Sequence, residues 1–385
     1  MAEQAQPKIR VLVVEDSSVM RRIITGALSK QAEIEIVGYA FNGLEAITKT
    51  RELVPDVVTL DIEMPEMDGL TALKEIRKEQ RIMPIIMFSS LTHAGTQATV
   101  MALTAGATDY VGKPTSASGS ADAAFKVLDA ELIPKILGLG RRRRKAGLAK
   151  PVADRPTTSL GALAQTGTTA AHAPIRLAPT PALRAPVAAL VIGVSTGGPM
   201  ALMDIFKTLT VPLPVPVFIV QHMPATFTGL LAARLTATTV MDFKEPSHEE
   251  VPEPGKVYMA PGGQHMSVAM NAGGKISIQL TMGPPENSCR PAVDVLFRTA
   301  AQVYGNGLLG LVLTGMGYDG MKGCQEIQAK HGQVLAQDEE SSVIWGMPGA
   351  VVQNNLANMV LPLDQIANEL VFRTRKGAGS RSNND

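Results

Sequence analysis

At 385 residues the chain exceeds what one compact core usually organises, and a hydrophobic content of 45% supplies apolar material for two. A net charge of +1, only two distant cysteines (Cys289 and Cys324) and the lack of any run of about 18 apolar residues argue against a disulfide scaffold, a structural zinc site, a membrane span and a global field for nucleic acid. The first ten residues carry no apolar signal stretch, so a reducing cytoplasm is the expected location, with no membrane insertion and no nucleic-acid partner.

From the N-terminus, short apolar strands alternate with amphipathic helical stretches. The strands are expected at residues 10–15, 35–40, 56–61, 84–89 and 108–111, and a helix over 121–137 closes the set. Five βα units predict a flavodoxin-like domain over residues 1–138, a five-stranded parallel sheet with helices on both faces. Ligands bind such sheets outside the carboxyl ends of the strands. Glu15 and Asp16 follow the first strand, Asp61 ends the third, Ser89 ends the fourth and Lys113 lies past the fifth. Packed acids repel one another unless a hard cation neutralises them, and Mg²⁺ with oxygen ligands is the usual answer. Asp61 is the candidate phosphoryl acceptor, Lys113 a fixed countercharge, and the Ser89 hydroxyl a donor to a phosphoryl oxygen.

The segments Val13-Val14-Glu15-Asp16, Leu60-Asp61-Ile62-Glu63-Met64-Pro65 with Asp68-Gly69, Met87-Phe88-Ser89-Ser90 and Val111-Gly112-Lys113-Pro114 resemble the receiver family of two-component systems. The resemblance implies phosphorylation of Asp61 by a histidine kinase, with Mg²⁺ held by Glu15, Asp16 and Asp61. Glu15 stands where the family more often has Asp.

Residues 139–186 hold nine Lys or Arg, opening with Arg141-Arg142-Arg143-Arg144-Lys145, against the single acid Asp154. With Ala, Thr, Pro and Gly and no sustained apolar period, this stretch is expected to be a flexible basic linker.

A second, doubly wound and mostly parallel α/β domain is expected over residues 187–372, followed by a disordered tail, 373–385. Strands at 188–194, 215–221 and 308–314 run into Ser195, His222 and the glycine-rich turn that holds Asp319. Gly193-Val194-Ser195-Thr196-Gly197 fits a nucleophile elbow and equally a glycine-rich anion loop at a helix N-terminus, although no P-loop Lys follows. Among six histidines, His222 directly ends a buried strand and is the preferred base; His265 is the alternative, or a pocket-lining residue. Asp319 is placed to orient His222 through Nδ1, or else to cap a helix over 321–330. The Met316 backbone N–H is a candidate oxyanion donor. The order Ser, His, Asp differs from the Ser, Asp, His of α/β-hydrolases.

These segments resemble the catalytic domain of the chemotaxis protein-glutamate methylesterase family, together with Ala260-Pro261-Gly262-Gly263, Arg290-Pro291-Ala292-Val293-Asp294 and Trp345-Gly346-Met347-Pro348. The resemblance implies a Ser195–His222–Asp319 triad that needs no cofactor and hydrolyses glutamate methyl esters on chemoreceptors, with glutamine deamidation as a second activity. It also implies that the unphosphorylated receiver covers the site. Cys289 stands where the family usually has histidine. On the residues alone a receptor-binding scaffold and an esterase for another substrate stay open. A DNA-binding regulator fits less well, since no helix-turn-helix pattern follows Pro186.

Overall fold

The computed structural model describes residues 7–90, 92–114, 121–145, 177 and 186–375. Two parallel sheets form its frame. The N-terminal sheet contains β1 (Ile9–Val14), β2 (Ile34–Ala40), β3 (Val57–Asp61), β4 (Ile85–Ser89) and β5 (Asp109–Gly112), in the order β2-β1-β3-β4-β5. β3 and β4 are buried at every position, as expected of strands covered on both faces. Helices α1 (Ser18–Leu28), α2 (Gly43–Leu53), α3 (Gly69–Glu79) and α4 (His93–Thr104) connect the strands. Side chains cap all four: Ser17, Asn42, Asp68 and Thr92 each accept a backbone N–H of the first turn.

The closing helix departs from expectation. α5 (Ala121–Val127) passes through a π-helical turn, Leu128–Leu132, into α6 (Ile133–Lys145). The linker expected from residue 139 therefore begins too early. Ile133, Ile136, Leu139, Gly140 and Arg143 are the buried positions of α6, a helical stripe that continues beneath the run of charge. Arg141 pairs with Glu33 at 2.6 Å, Arg144 with Asp56 at 2.7 Å and Lys145 with Glu339 at 2.9 Å. Residues 146–176 and 178–185 lie outside the described residues.

The C-terminal sheet has seven parallel strands in the order β14-β13-β12-β6-β7-β9-β8. They are β6 (Ala189–Val194), β7 (Val217–Gln221), β8 (Asp242–Lys244), β9 (Lys256–Met259), β12 (Leu308–Val312), β13 (Gln333–Gln337) and β14 (Met359–Leu361). An antiparallel hairpin, β10 (His265–Met270) with β11 (Ile276–Thr281), stands beside it. Helices α7 (Gly198–Thr208), α8 (Ala225–Thr238), α9 (Val293–Tyr304), α10 (Met321–Ala329), α11 (Met347–Gln353) and α12 (Leu363–Arg375) pack around the sheet. α12 buries Arg373 and Thr374, so the tail expected from residue 373 starts helical; residues 376–385 lie outside the described residues.

In each sheet the chain reverses its direction of winding once, between β1 and β3 and between β6 and β12, which opens a crevice at the carboxyl ends. The domains also touch. One apolar cluster runs from Leu60, Met87 and Leu103 into Leu202, Phe206 and Phe227. The Tyr110 and Phe227 rings meet at 4.6 Å. The Thr196 hydroxyl donates to Asp109 Oδ2 at 2.7 Å in a buried contact.

Candidate active site

Ser195 leaves the fully buried β6 in a turn that only certain residues permit. Gly197 sits at φ +79°, and a Cβ there would meet Val343 at 2.6 Å. A Cβ on Gly193 would strike the Val293 side chain at 2.4 Å, so glycine lets α9 pack against β6 beneath the turn. Gln221 ends the neighbouring β7, and its amide donates to the carbonyls of Ser195 (3.1 Å) and His222 (3.2 Å). The His222 N–H in turn donates to the Val194 carbonyl at 3.1 Å. Ser195 and His222 are thus adjacent strand ends joined through Gln221.

His222 Nε2 lies 2.8 Å from Asp319 Oδ2. The expected engagement through Nδ1 is corrected: Asp319 approaches from the far edge of the ring, leaving Nδ1 to face Cys289. Nδ1 has the Cys289 sulfur at 3.7 Å, and the Ser195 hydroxyl is not hydrogen-bonded to it. Sequence order does not encode which ring edge faces which strand.

Asp319 is 3% exposed, and its carboxylate is fully engaged. Oδ2 also accepts from the Val293 N–H (2.7 Å); Oδ1 accepts from Asn287 Nδ2 (2.8 Å), the Gly320 N–H (3.0 Å) and the Asp294 N–H (3.1 Å). The expected alternative of a cap on the helix after residue 320 is corrected as well. The residue before α10 is Gly320, with no side-chain cap, and Asp319 instead accepts the first N–H groups of α9. Burial alone would raise its carboxyl, but the bond to His222 and those backbone donors hold it below the usual carboxylate value. Burial alone would likewise depress the His222 imidazolium. The hydrogen bonds to Asp319 and Cys289 outweigh it, and its pKa is pushed up to about 9.

His265, the alternative base, is spent on structure: Nε2 meets the Pro284 carbonyl at 3.0 Å and Nδ1 accepts the Ala292 N–H at 3.2 Å. The Met316 N–H, in the loop after β12, donates to no backbone carbonyl among the described residues. That loop lies against the nucleophile turn, since a Cβ on Gly315 would sit 2.8 Å from Ser195 Cβ. Sequence reasoning missed Gln221, Asn287, Asp294 and Thr196. A buried amide directly before His222 was the one legible signal; the others are neighbours only in space.

At the N-terminal crevice, ligand oxygens of Glu15, Asp16 and Asp61 all lie within 4.8 Å of one another. Lys113 Nζ is 2.6 Å from Asp61 Oδ2 and 3.3 Å from Glu15 Oε2. Burial, then the neighbouring Asp61 charge, pushes the Glu15 carboxyl up to about 7; burial also raises Asp61. An all-oxygen acidic cluster, in which buried Glu15 Oε2 accepts no hydrogen bond among the described residues and has only the Lys113 ammonium near it as countercharge, fits a hard divalent cation such as Mg²⁺. Ser89 does not face this cluster. Its hydroxyl donates to the Gly95 carbonyl (3.1 Å) and accepts from Thr99 (2.6 Å), turned into the start of α4.

Comparison with known proteins agrees with both halves. A response regulator receiver domain model matches residues 11–123, and a CheB methylesterase model matches residues 190–370. A protein-glutamate methylesterase/protein-glutamine glutaminase of Nocardioides sp. is 47% identical over 367 residues, covering 95% of this chain and 96% of the relative. One of the same name from Trichodesmium erythraeum is 43% identical over 367 residues, covering 95% and 99%. The crystal structure of the Thermotoga maritima CheB methylesterase catalytic domain is 39% identical, with a TM-score of 0.47, over 48% of this chain and 97% of that one. With relatives matched nearly end to end at such identity, the chain belongs to the protein-glutamate methylesterase family of response regulators.

Proposed function

We propose that this chain is a phosphorylation-activated serine esterase that hydrolyses glutamate methyl esters on chemoreceptors. The observation that carries the reading is the 2.8 Å His222–Asp319 pair set at the strand end next to Ser195. In this reading Ser195 Oγ attacks the ester carbonyl, and His222 Nδ1, the nitrogen Asp319 does not engage, takes the proton. The Met316 N–H receives the oxyanion. Nδ1 then returns the proton to the departing methoxide as methanol, and water, deprotonated by the same nitrogen, releases glutamate and restores Ser195. The relatives' names pair this activity with glutaminase. The same steps on a receptor glutamine would release ammonia, against a poorer leaving group.

In the receiver, Glu15, Asp16 and Asp61 would hold Mg²⁺, which when bound neutralises the crowded carboxylates beside an incoming phosphoryl group. Asp61 accepts that group from a histidine kinase, Lys113 pairs with its oxygens, and Ser89 turns from Gly95 to donate to one. Control by occlusion is supported by the Thr196–Asp109 bond, which ties the residue after the nucleophile to the receiver. A cytoplasmic enzyme acting at receptor helices fits this scheme, and no described helix is long and apolar enough to cross a membrane.

The test is methanol release from receptor membranes methylated beforehand, with a small-molecule phosphodonor and Mg²⁺ present. Wild type should release methanol, and Ser195→Ala should lose roughly three or more orders of magnitude in rate. Equal release by both would remove Ser195 from the mechanism. Release by neither would favour a receptor-binding scaffold.

A further inference from the structure

A cavity of about 810 Å³ lies between the domains, apart from the Asp61 crevice and reaching the turn that follows Ser195. It opens at the amino ends of β4 and β5, whereas Asp61 sits at a carboxyl end. Arg77, Arg81, Arg142 and Arg143 line its receiver side, and Glu340 is its one acidic lining residue. These arginines have few anionic partners. Arg77 donates to the carbonyls of Gly106 (2.7 Å) and Gln80 (2.8 Å), and Arg142 to that of Glu340 (2.7 Å).

Arg143 is the anomaly. It is only 6% exposed, and its Nε is buried with no hydrogen-bond partner among the described residues. The acid nearest in charge, Asp56, gives Oδ2 to Arg144 and to the Arg10 N–H, both at 2.8 Å; its buried Oδ1 has no hydrogen-bond partner among the described residues, so it acts on Arg143 through charge and not through a bond. A buried guanidinium without a bonded anion is costly, and a second one nearby compounds the cost. The strain shows at Arg77, whose pKa is pushed down to about 10, first by burial and then by the Arg143 charge.

We propose that this interdomain cavity binds a phosphate-bearing small molecule, its phosphoryl oxygens on Arg143 and Arg81 and its less polar part against Ile82, Met200 and Val343. Several guanidiniums facing one acid call for an anion of more than one charge, and the planar fork matches phosphate. The volume suits a ligand of nucleotide size. Gly197 and Met200 of the catalytic domain share the wall, so an occupant bridges the receiver to the turn that follows Ser195. Its effect on turnover rests on the occlusion reading; the binding does not.

The experiment is titration calorimetry on the full chain without Mg²⁺, using ATP, inorganic pyrophosphate and adenosine as probes. ATP should bind wild type and Asp61→Asn alike, pyrophosphate should compete with it, and adenosine should not. Arg143→Gln should weaken ATP binding about tenfold or more, and the exposed Arg81→Ala, which does not threaten folding, several-fold. Pyrophosphate binding as tightly as ATP would assign the site to the phosphates alone; tighter ATP binding would add the apolar wall. Failure of both phosphate probes to bind wild type overturns the proposal. So does binding that neither arginine variant weakens, or binding lost in Asp61→Asn. Because adenosine and Asp61→Asn serve as controls and no turnover is read, failure here leaves the esterase assignment standing.

Discussion

The chemistry of the candidate site turns on which edge of one imidazole is occupied. His222 gives Nε2 to Asp319 and meets Cys289 with Nδ1, so a thiol stands where the Ser195 hydroxyl must come. The sign of the resulting pH dependence follows directly. A general base must be neutral, and the folded environment favours its protonated form up to about pH 9. Ester turnover should therefore fall as pH drops through that value. Cys289→Ala removes one of the interactions that raise the imidazolium and should move this limb to lower pH; kcat/KM measured from pH 6 to 10 checks it, and an unmoved limb would deny the thiol any part. In the receiver, Asp61→Asn should abolish uptake of labelled phosphate. Glu63→Ala should not, because the Glu63 carboxylate accepts from the Ser90 hydroxyl at 3.2 Å and its link to Asp61 is the backbone N–H at 3.3 Å, which the substitution keeps. At this scale the sequence was readable where chemistry and strand ends coincide: Ser195, His222, Asp319, Asp61 and Lys113 all stand where buried strands deliver them. The ring edge, the Cys289 contact and the Asn287 bond were not readable, because each depends on a side-chain direction set by distant packing.

Among the elements, the turn from β6 into α7 is the most constrained. Replacing Gly197 by Ala imposes a φ near +79° on a residue with a Cβ and drives that Cβ into Val343. It should destabilise the protein by about 1–3 kcal/mol, seen as a lowered thermal midpoint. An unchanged midpoint would mean that the turn relaxes. Strand runs such as residues 188–194 were legible because both faces are buried and no polar residue interrupts them. α6 was not. Its charge run looks like a solvated tether, yet Ile133, Ile136, Leu139 and Arg143 keep helical spacing, and the basic side chains find Glu33, Asp56 and Glu339 only once the chain is folded. The strands β8, β9, β10, β11, β13 and β14 were not legible either, being short or set among polar neighbours.

For the whole molecule, the occlusion reading makes the contact between domains the control on activity before phosphorylation, and that can be tested. Asp109→Ala deletes the acceptor of the Thr196 hydroxyl and should raise methanol release without phosphodonor several-fold, while the phosphodonor-stimulated rate changes little. Unchanged basal release would mean that this hydrogen bond does not hold the closed arrangement. Two domains and their parallel sheets were legible from alternating strands and helices, but their mutual packing was not. The Tyr110–Phe227 contact and the arginine-lined cavity join residues more than a hundred positions apart, with no pattern linking them along the chain.

β5 occupies the border of the receiver sheet, bonded to β4 alone. Asp109, the acceptor for Thr196, begins this strand, and Lys113, the countercharge to Asp61, follows its last residue. Four peptide steps separate the two, about 13 Å of extended chain. This one strand is therefore the shortest covalent path from the countercharge of Asp61 to the contact with Thr196, and its Val111 is anchored in the receiver core.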